Sequence, residues 1–483
     1  LVRDASQLPA ALAQARSEAR AAFGDDRLLL ERALLAPRHV EIQILADAQG
    51  RTVFVGERDC SVQRRYQKIV EEAPSPVVTP GLRRALGEAA VALARSIGYV
   101  GAGTVEFLLD GDAFYFMEMN PRLQVEHPVT EAVTGLDLVA WQLRIAAGER
   151  LSLVQEELLA RFESGGHAIE ARLCAEDPAA GFLPRSGRIE RFVPPPDVRF
   201  DHALETGALI SPHYDSLLGK LIAHAPTRQA AARKLAAALE RTVVVGVPTN
   251  RAFLARVLRH PVFGSGAAST AFVDECHSDL CAPPPESLWA LAAFISTHAS
   301  DVAWPDEWRA WSSSGERACP YRIACGEEER RGTVAGGALA ARVGSVQIAC
   351  RAPLRAGHWN DVAIGGRRRA VFFDRQGDRI RLHAGDGDAE FVDRGRGAAR
   401  RAGANVPAGA LTAAMHGRVV AVAARVGERV AAGAVLATLE AMKMEHALTA
   451  PAAGVVRAVH VRVGEQVAAG RLMIELELAT QSR

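Results

Sequence analysis

Apolar positions recur at helical spacing from residue 6 to residue 23, where Leu8, Leu12, Ala15, Ala19 and Phe23 fall on one face and Gly24 offers a stop. The period then shortens. "RLLLERAL" (27–34) and "HVEIQILAD" (39–47) read as strands, and Thr79 as cap, Pro80 at the first turn and Leu82, Leu86, Ala89, Leu93 and Ile97 in register signal a second helix ending at Gly98. Strand and helix alternate, which indicates a mixed, α+β multidomain fold.

The pattern changes at "CAPPPES" (281–287). One short helix, "SLWALAAFIS", is followed by strand-like runs "PYRIAC", "GSVQIAC", "RRAVFFDR" and "DRIRLHA", which predict a small β-rich domain over 283–393. Residues 394–408 carry Gly, Ala and Arg without periodicity and suit a flexible linker. Beyond it lies an internal repeat. "GRVVAVAARVGERVAAGAVLATLEA" (417–441) aligns with "GVVRAVHVRVGEQVAAGRLMIELEL" (454–478) at a constant offset of 37, so Gly417, Gly427, Gly433 and Leu439 match Gly454, Gly464, Gly470 and Leu476. Two similar β halves related by a pseudo-twofold follow. Lys443, in "LEAMKMEHAL", falls just after the first half, where the chain turns back, and reads as a lysine on a hairpin tip. The plain alternative is a surface lysine with its head in water. That alternative leaves the repeat and the position as coincidence.

Composition narrows the field. At 483 residues, about three domains are expected. With 57 Lys+Arg against 56 Asp+Glu, no electrostatic case exists for nucleic acid or an anionic membrane as main partner. Mean hydropathy is +0.03, and the apolar helix near 290 is too short to span a bilayer. Seven cysteines are too sparse for a disulfide framework, and "CHSDLC" has no second ligand pair nearby for zinc. The chain starts "LVRDASQ", without methionine or a signal-like stretch, and reads as a fragment.

Candidate chemistry concentrates in "GTVEFLLDGDAFYFMEMNPRLQVEHP" (103–128). A three-residue loop, Asp110-Gly111-Asp112, would put Glu106 and Glu118 on one face as diagonal neighbours; a two-residue loop would split them. Paired carboxylates repel unless a cation joins them, and hard oxygens suit magnesium or manganese on nucleotide phosphates, with Asn120 at the same parity. A solvated acidic hairpin is the bland alternative. Arg122, Gln124 and Glu126 continue the period of two, with Leu123 and Val125 facing away. An arginine fork and an amide beside a carboxylate make a pocket for a small oxyanion next to a base.

"EAMKMEH", set in the repeat, resembles the biotin attachment motif of biotin carboxyl carrier domains. The resemblance implies that a biotin protein ligase joins biotin to Lys443. Lipoyl domains share the fold but typically carry an Asp-Lys-Ala tip. In "AAMHGRV", Ala414 stands where proline is usual. The first 280 residues resemble the C-terminal part of biotin carboxylase, an ATP-grasp enzyme, through "PRHVEIQ", "ERDCSVQRRYQK", "GAGTVEF", "FMEMNPRLQVEHPVTE" and "EARLCAEDP". By that resemblance, residues 1–36 are the remainder of the lid subdomain, 37–282 the carboxylase C-terminal subdomain, 283–393 a subunit-docking domain and 409–480 the carrier.

The same resemblance assigns roles. Glu126 deprotonates bicarbonate, which attacks the γ-phosphate of ATP to give carboxyphosphate. Arg122, Gln124 and Val125 hold bicarbonate, Lys68 lies near bicarbonate and phosphate, and Arg172 steadies the biotin ureido oxygen. Glu106, Glu118 and Asn120 hold the metal. Glu31, Leu34, His39, Gln63 and Tyr66 line the nucleotide. For Arg172 the structural alternative is a salt bridge with Glu170 or Asp177, and a lone His39 is more often structural. Tyr66 departs from the histidine of many members and carries a different charge. The family's glycine-rich phosphate loop lies upstream of the matched motifs, so this fragment is not expected to complete the ATP step alone.

No long segment resembles a carboxyltransferase, so a separate β subunit is implied, in a hetero-oligomer. "WPDEWRAWSSSGERACPYRI" is loosely similar to 3-methylcrotonyl-CoA carboxylase α subunits; propionyl-, acetyl- and geranyl-CoA enzymes stay open. Such subunits are cytoplasmic in bacteria and lie in the mitochondrial matrix in eukaryotes. An inert carrier scaffold and another ATP-grasp ligase are the rival readings.

Overall fold

The computed structural model describes residues 2, 4–299, 318–337, 339–385, 387–395, 409–441 and 444–478. Three folded bodies follow one another. The first is built on an eight-stranded sheet whose spatial order is Arg199–His202, Leu217–Ala225, β6 (His167–Cys174), β3 (Gln67–Ala73), β2 (Thr52–Arg64), β1 (Arg38–Ala46), β4 (Gly101–Asp110) and β5 (Ala113–Asn120). Along β1 the residues Val40, Ile42 and Ile44 join the apolar cluster under α2 (Pro80–Ser96), and the alternate residues Glu41 and Gln43 are buried on the other face. One face is a core. The other is a buried polar floor.

The helix over 79–98 forms as expected: the Thr79 hydroxyl accepts from the Leu82 amide and Pro80 opens the helix. Its buried stripe is Arg83, Leu86, Gly87, Ala90 and Ala94, rotated from the expected one, so Ile97 is 61% exposed. The rotation has two causes. Arg83 is held inward by Glu57 through Nε···Oε2 at 2.7 Å, and Gly87 leaves room for the Phe54 ring, which would lie 2.4 Å from a Cβ there. α1 (Leu8–Phe23) ends at Gly24 in the left-handed region, as its pattern predicts, yet none of its side chains among the described residues is buried and Phe23 is 84% exposed. The predicted strand at 27–34 is absent. Leu29 and Leu30 are 92% and 79% exposed, and no strand in the described residues offers the segment a ladder partner.

Eight antiparallel strands between Ala318–Cys325 and Gly387–Asp393 close into a barrel around the helix Glu286–His298. That helix is apolar all round, and every residue from Leu288 to Ser296 is buried. Residues 304–317 of the tryptophan-rich segment, and 396–408 of the expected linker, lie outside the described residues. The barrel is joined to the first body by Arg251, which is fully buried: Nε donates to Asp388 Oδ2 at 2.8 Å and Nη1 to the Leu239 carbonyl at 2.9 Å. Burial opposes ionisation of Asp388, and Arg251 and then His383 overcome it and hold the carboxyl well below its ordinary range.

The third body shows the repeat in space. Strands Gly417–Val422, Arg429–Val430 and Val435–Ala441 recur as Gly454–Val459, Gln466–Val467 and Leu472–Leu478. The halves exchange their short strands, since Arg429–Val430 pairs with Gly454–Val459 and Gln466–Val467 pairs with Gly417–Val422. Gly427 and Gly464 take the same left-handed turn, at φ +87 and +86. Ala441 pairs with Met444. Met442 and Lys443, between them, lie outside the described residues. Leu183 of the first body packs against this core. No described helix is long and apolar enough to cross a membrane.

Arg251→Ala is expected to cost about 3 kcal/mol, because it leaves half-buried Asp388 with His383 as its remaining partner and opens a hole where the buried guanidinium lay. Urea denaturation of the whole chain measures it; a loss below about 1 kcal/mol would show that the two bodies do not depend on this pair.

Candidate functional site

Ladder irregularities, rather than strict alternation, aim the site residues at one another. The β4–β5 hairpin turns on two residues, not three, because Asp110 pairs with Ala113. By alternation alone Glu106 and Glu118 would then fall on opposite faces. A bulge corrects this: Phe107 pairs with Phe116 and Glu106 with Glu118, so Met117 is the extra residue. The β2–β3 hairpin has a similar device. Gln63 pairs with Lys68 and Val62 with Val70, so Ile69 is extra, and Lys68 reaches the face that carries Glu71. Gly56, at φ +113 beside another register shift, lies where a Cβ would meet the Phe162 ring at 2.4 Å.

The ammonium of Lys68 is the hub. It donates to Glu41 Oε2 at 2.6 Å, Glu126 Oε1 at 2.7 Å and Glu106 Oε1 at 2.9 Å. The second oxygen of Glu41 accepts from Arg58 Nε at 2.5 Å, and Arg58 is buried whole, its remaining nitrogens donating to Gln43, Thr104 and Thr130. Arg172 donates from Nε to Glu71 Oε1 at 2.5 Å and from Nη2 to Glu126 Oε2 at 3.0 Å. Its partners are thus Glu71 and Glu126, not Glu170 or Asp177: Glu71 lies on the strand next to β6, and Glu126 lies in the loop over the floor.

Residues 121–126 form a loop rather than the expected strand extension, since β5 ends at Asn120 and α3 (His127–Thr134) begins directly after Glu126. The loop still gathers its side chains. Arg122 Nη1 donates to Gln124 Oε1 at 2.7 Å, Gln124 Nε2 to Glu106 Oε1 at 2.9 Å, and the Val125 carbonyl accepts from Lys220. Leu123 packs on apolar residues below. Asn120 Nδ2 lies between the paired carboxylates, 2.9 Å from Glu106 Oε1 and 3.1 Å from Glu118 Oε1.

Two carboxylates and an amide oxygen that can rotate inward, open to solvent at Glu118, form a hard-oxygen set that fits Mg2+. Two deeper groupings, His39-Glu41-Glu106 and Glu41-Cys60-Glu126, also have metal-ligand spacing. The Lys68 ammonium already bonds to their carboxylates.

His39 is in the cluster, with Nε2 2.7 Å from Glu106 Oε2. Gln63 is buried opposite Lys68 in the ladder. Glu31 is exposed and Leu34 half-buried on the irregular segment before β1, and neither enters the network. Tyr66 is 93% exposed on a two-residue turn with Arg65, both at positive φ, and is likewise outside it. Glu41, Arg58, Glu71, Glu170 and Lys220 were not anticipated. A signal for the first existed in "HVEIQILAD", whose polar residues alternate on a strand otherwise wholly apolar.

Known proteins place these features. Residues 1–154 match the carbamoyl-phosphate synthase L chain ATP-binding domain, 170–275 the biotin carboxylase C-terminal domain, and 405–476 the biotin-requiring enzyme family. The chain contains biotin carboxylase and biotin/lipoyl-type domains. Biotin carboxylase 2, chloroplastic, of Populus trichocarpa is 49% identical over 286 residues, 59% of this chain and 54% of that protein. The mitochondrial methylcrotonoyl-CoA carboxylase subunit alpha of Rattus norvegicus is also 49% identical, over 284 residues, 58% of this chain and 39% of that one. This chain therefore spans about half the length, or less, of these curated relatives. The biotin carboxylase domain of Hydrogenobacter thermophilus 2-oxoglutarate carboxylase, solved with MgADP and bicarbonate, superposes with a TM-score of 0.54 at 45% identity, covering 57% of this chain and 60% of that one.

In the carboxylase part, burial opposes ionisation of Glu41 and Glu106, yet both are held down to about 2 from an ordinary 4.5, by Arg58 and Lys68 at the former and by the His39 hydrogen bond and Lys68 at the latter. Glu71 moves the other way, to about 7, because burial outweighs the opposing charge of Arg172. Depressed carboxylates contribute stability above pH 4.5 that is lost as pH falls toward about 2. The raised Glu71 gains a proton on folding between 4.5 and about 7, so its contribution shrinks as pH rises through that window. Glu106→Gln is expected to flatten the acid limb of folding stability in denaturation series run at stepped pH. An unchanged slope would place the depressed group elsewhere.

Proposed function

We propose that this chain provides the bicarbonate, metal and biotin-carrier sites for ATP- and bicarbonate-dependent carboxylation of biotin attached to Lys443, as part of the α subunit of an acyl-CoA carboxylase. The observation that carries the reading is the double engagement of Glu126, whose two oxygens meet Lys68 and Arg172 on a buried floor beside the Arg122–Gln124 pair. That arrangement suits a base flanked by cations that take up charge as it forms. Arg122 and Gln124 orient the bicarbonate anion. Glu126 accepts its proton, and the freed oxygen attacks the γ-phosphorus of ATP, giving carboxyphosphate and ADP. Lys68 holds the negative charge of carboxyphosphate, and Arg172 holds that of the biotin ureido oxygen. Glu106, Glu118 and Asn120 would hold Mg2+, which when bound offsets phosphate charge.

The acyl acceptor we propose is a branched enoyl-CoA such as 3-methylcrotonyl-CoA, handled by a separate carboxyltransferase β subunit that docks on the barrel. Equal identity to a plain biotin carboxylase and to a methylcrotonoyl-CoA subunit leaves propionyl-, acetyl- and geranyl-CoA as alternatives. Intact mass of the chain produced with biotin protein ligase is expected to show one biotin, lost in Lys443→Arg. The biotinylated chain should then co-purify with its candidate β subunit, and lipoate in place of biotin would defeat the carrier assignment.

Glu126→Gln is expected to lower bicarbonate-dependent ATP cleavage by about 10²-fold or more, and Arg172→Ala to lower biotin carboxylation by about 10²-fold, in a preparation that carries the activity. Both variants should keep the wild-type circular dichroism. Near-normal turnover in either rejects the role given to that residue.

A further inference from the structure

Behind Arg172 lies a second pair of carboxylates that the reaction above leaves unused. Glu71 on β3 and Glu170 on β6 sit directly opposite each other in the ladder, and both are buried to 0% exposure. Glu71 spends one oxygen on Arg172. Its other oxygen, and both oxygens of Glu170, have no hydrogen-bond partner among the described residues. Two ionised carboxylates facing across adjacent strands in such a place would repel at low dielectric.

Among the described residues the other cations near the pair, Lys220 and Lys68, act on it through space while their hydrogen bonds go elsewhere. On the neighbouring strand, Lys220 pairs in register with Arg172, and its ammonium bonds to the Val125 carbonyl with Asp201 3.9 Å away. On α3, which covers this face, His127 bonds to the Gln124 carbonyl and lies 3.9 Å from Glu131. Lys68, on the same strand as Glu71, is shared among Glu41, Glu106 and Glu126. His39 bonds to Glu106. Cys60 lies 3.9 Å from Glu126 and has its thiol pushed up by burial. A proton on the pair relieves the repulsion between these facing carboxylates.

We propose that Glu71 and Glu170 share one proton, carried as a carboxylic acid on Glu170, and that the ionised Glu71 left by this arrangement is a positioning residue for Arg172. The acid O–H turns an oxygen without a donor into a donor toward its neighbour, and the pair keeps a single negative charge for the guanidinium. Glu71 then holds Nε of Arg172 while Nη2 faces Glu126, fixing the fork across the two carboxylates. Burial first, and the like charge of Glu71 second, push Glu170 well above the ordinary carboxyl range, in accord with this placement. Glu71, at about 7, takes a second proton as pH falls below neutrality, and Arg172 then loses its charged anchor.

The positioning role rests on the carboxylase reading; the shared proton does not. Infrared difference spectra of the whole chain at pH 8, wild type minus Glu170→Gln, are expected to show loss of one protonated-carboxyl C=O band, with the melting midpoint kept. Absence of that lost band overturns the shared proton, and Glu170→Met provides the same comparison if the glutamine variant does not fold. In a preparation that cleaves ATP, Glu71→Gln should lower turnover roughly tenfold or more. It should also abolish the fall in rate as pH drops through about 7, and Glu71→Asp should restore part of both. A lower rate with the pH limb unmoved and no rescue by aspartate overturns the positioning role. If wild type carries no carboxylase activity, the infrared result still decides the proton.

Discussion

One ammonium group organises the polar face of the sheet. Lys68 touches three carboxylates contributed by β1, β4 and the loop before α3, all buried. In a low-dielectric setting each would be costly alone, and together they would repel. With Lys68 and Arg58 among them, the negative charge is distributed over two cations that cannot leave. Burial disfavours the charged form of Lys68, but the carboxylates of Glu41, Glu126 and Glu106 drive its pKa upward. Such a network adds little stability over an apolar core; it specifies where each oxygen points. That is what a base and its flanking cations require.

The network closes because the sheet is irregular. Extra residues at Ile69 and Met117 change the side on which Lys68 and Glu118 emerge, and Gly56 admits the Phe162 ring beneath a third shift. Each bulge exchanges ladder regularity for an aimed side chain. The loop carrying Arg122, Gln124 and Glu126 has no ladder of its own. Its side chains are held by bonds to Glu106, Lys68 and Arg172. The site therefore holds its own loop in place.

Around this floor the chain divides labour between rigid contact and symmetry. Arg251 seals the barrel to the carboxylase part through buried charge, and Val243, Val245 and Phe372 extend the join with apolar surface. The carrier fold instead satisfies itself by exchanging short strands between its halves, so its stability comes from within.

Residues alone determined the elements whose signals are local: the Thr79-Pro80 helix start, the apolar helix around 287–296, four of the barrel's eight strands and the offset of 37 that doubles the carrier. They also picked out Lys68, Glu106, Glu118, Asn120, Arg122, Gln124, Glu126 and Arg172, through motif and parity. Tertiary structure decided the rest. A two-residue turn with a bulge replaced the three-residue loop, since a bulge is visible only against the partner strand. "RLLLERAL" stayed irregular because a strand needs a neighbour that its own residues cannot provide. Arg58 and Glu71 were silent in the sequence, and the true partners of Glu41 and Glu170 could not be read from it, for the same reason: their meaning comes from charges on other strands, brought within hydrogen-bond reach or face to face only once the sheet has formed.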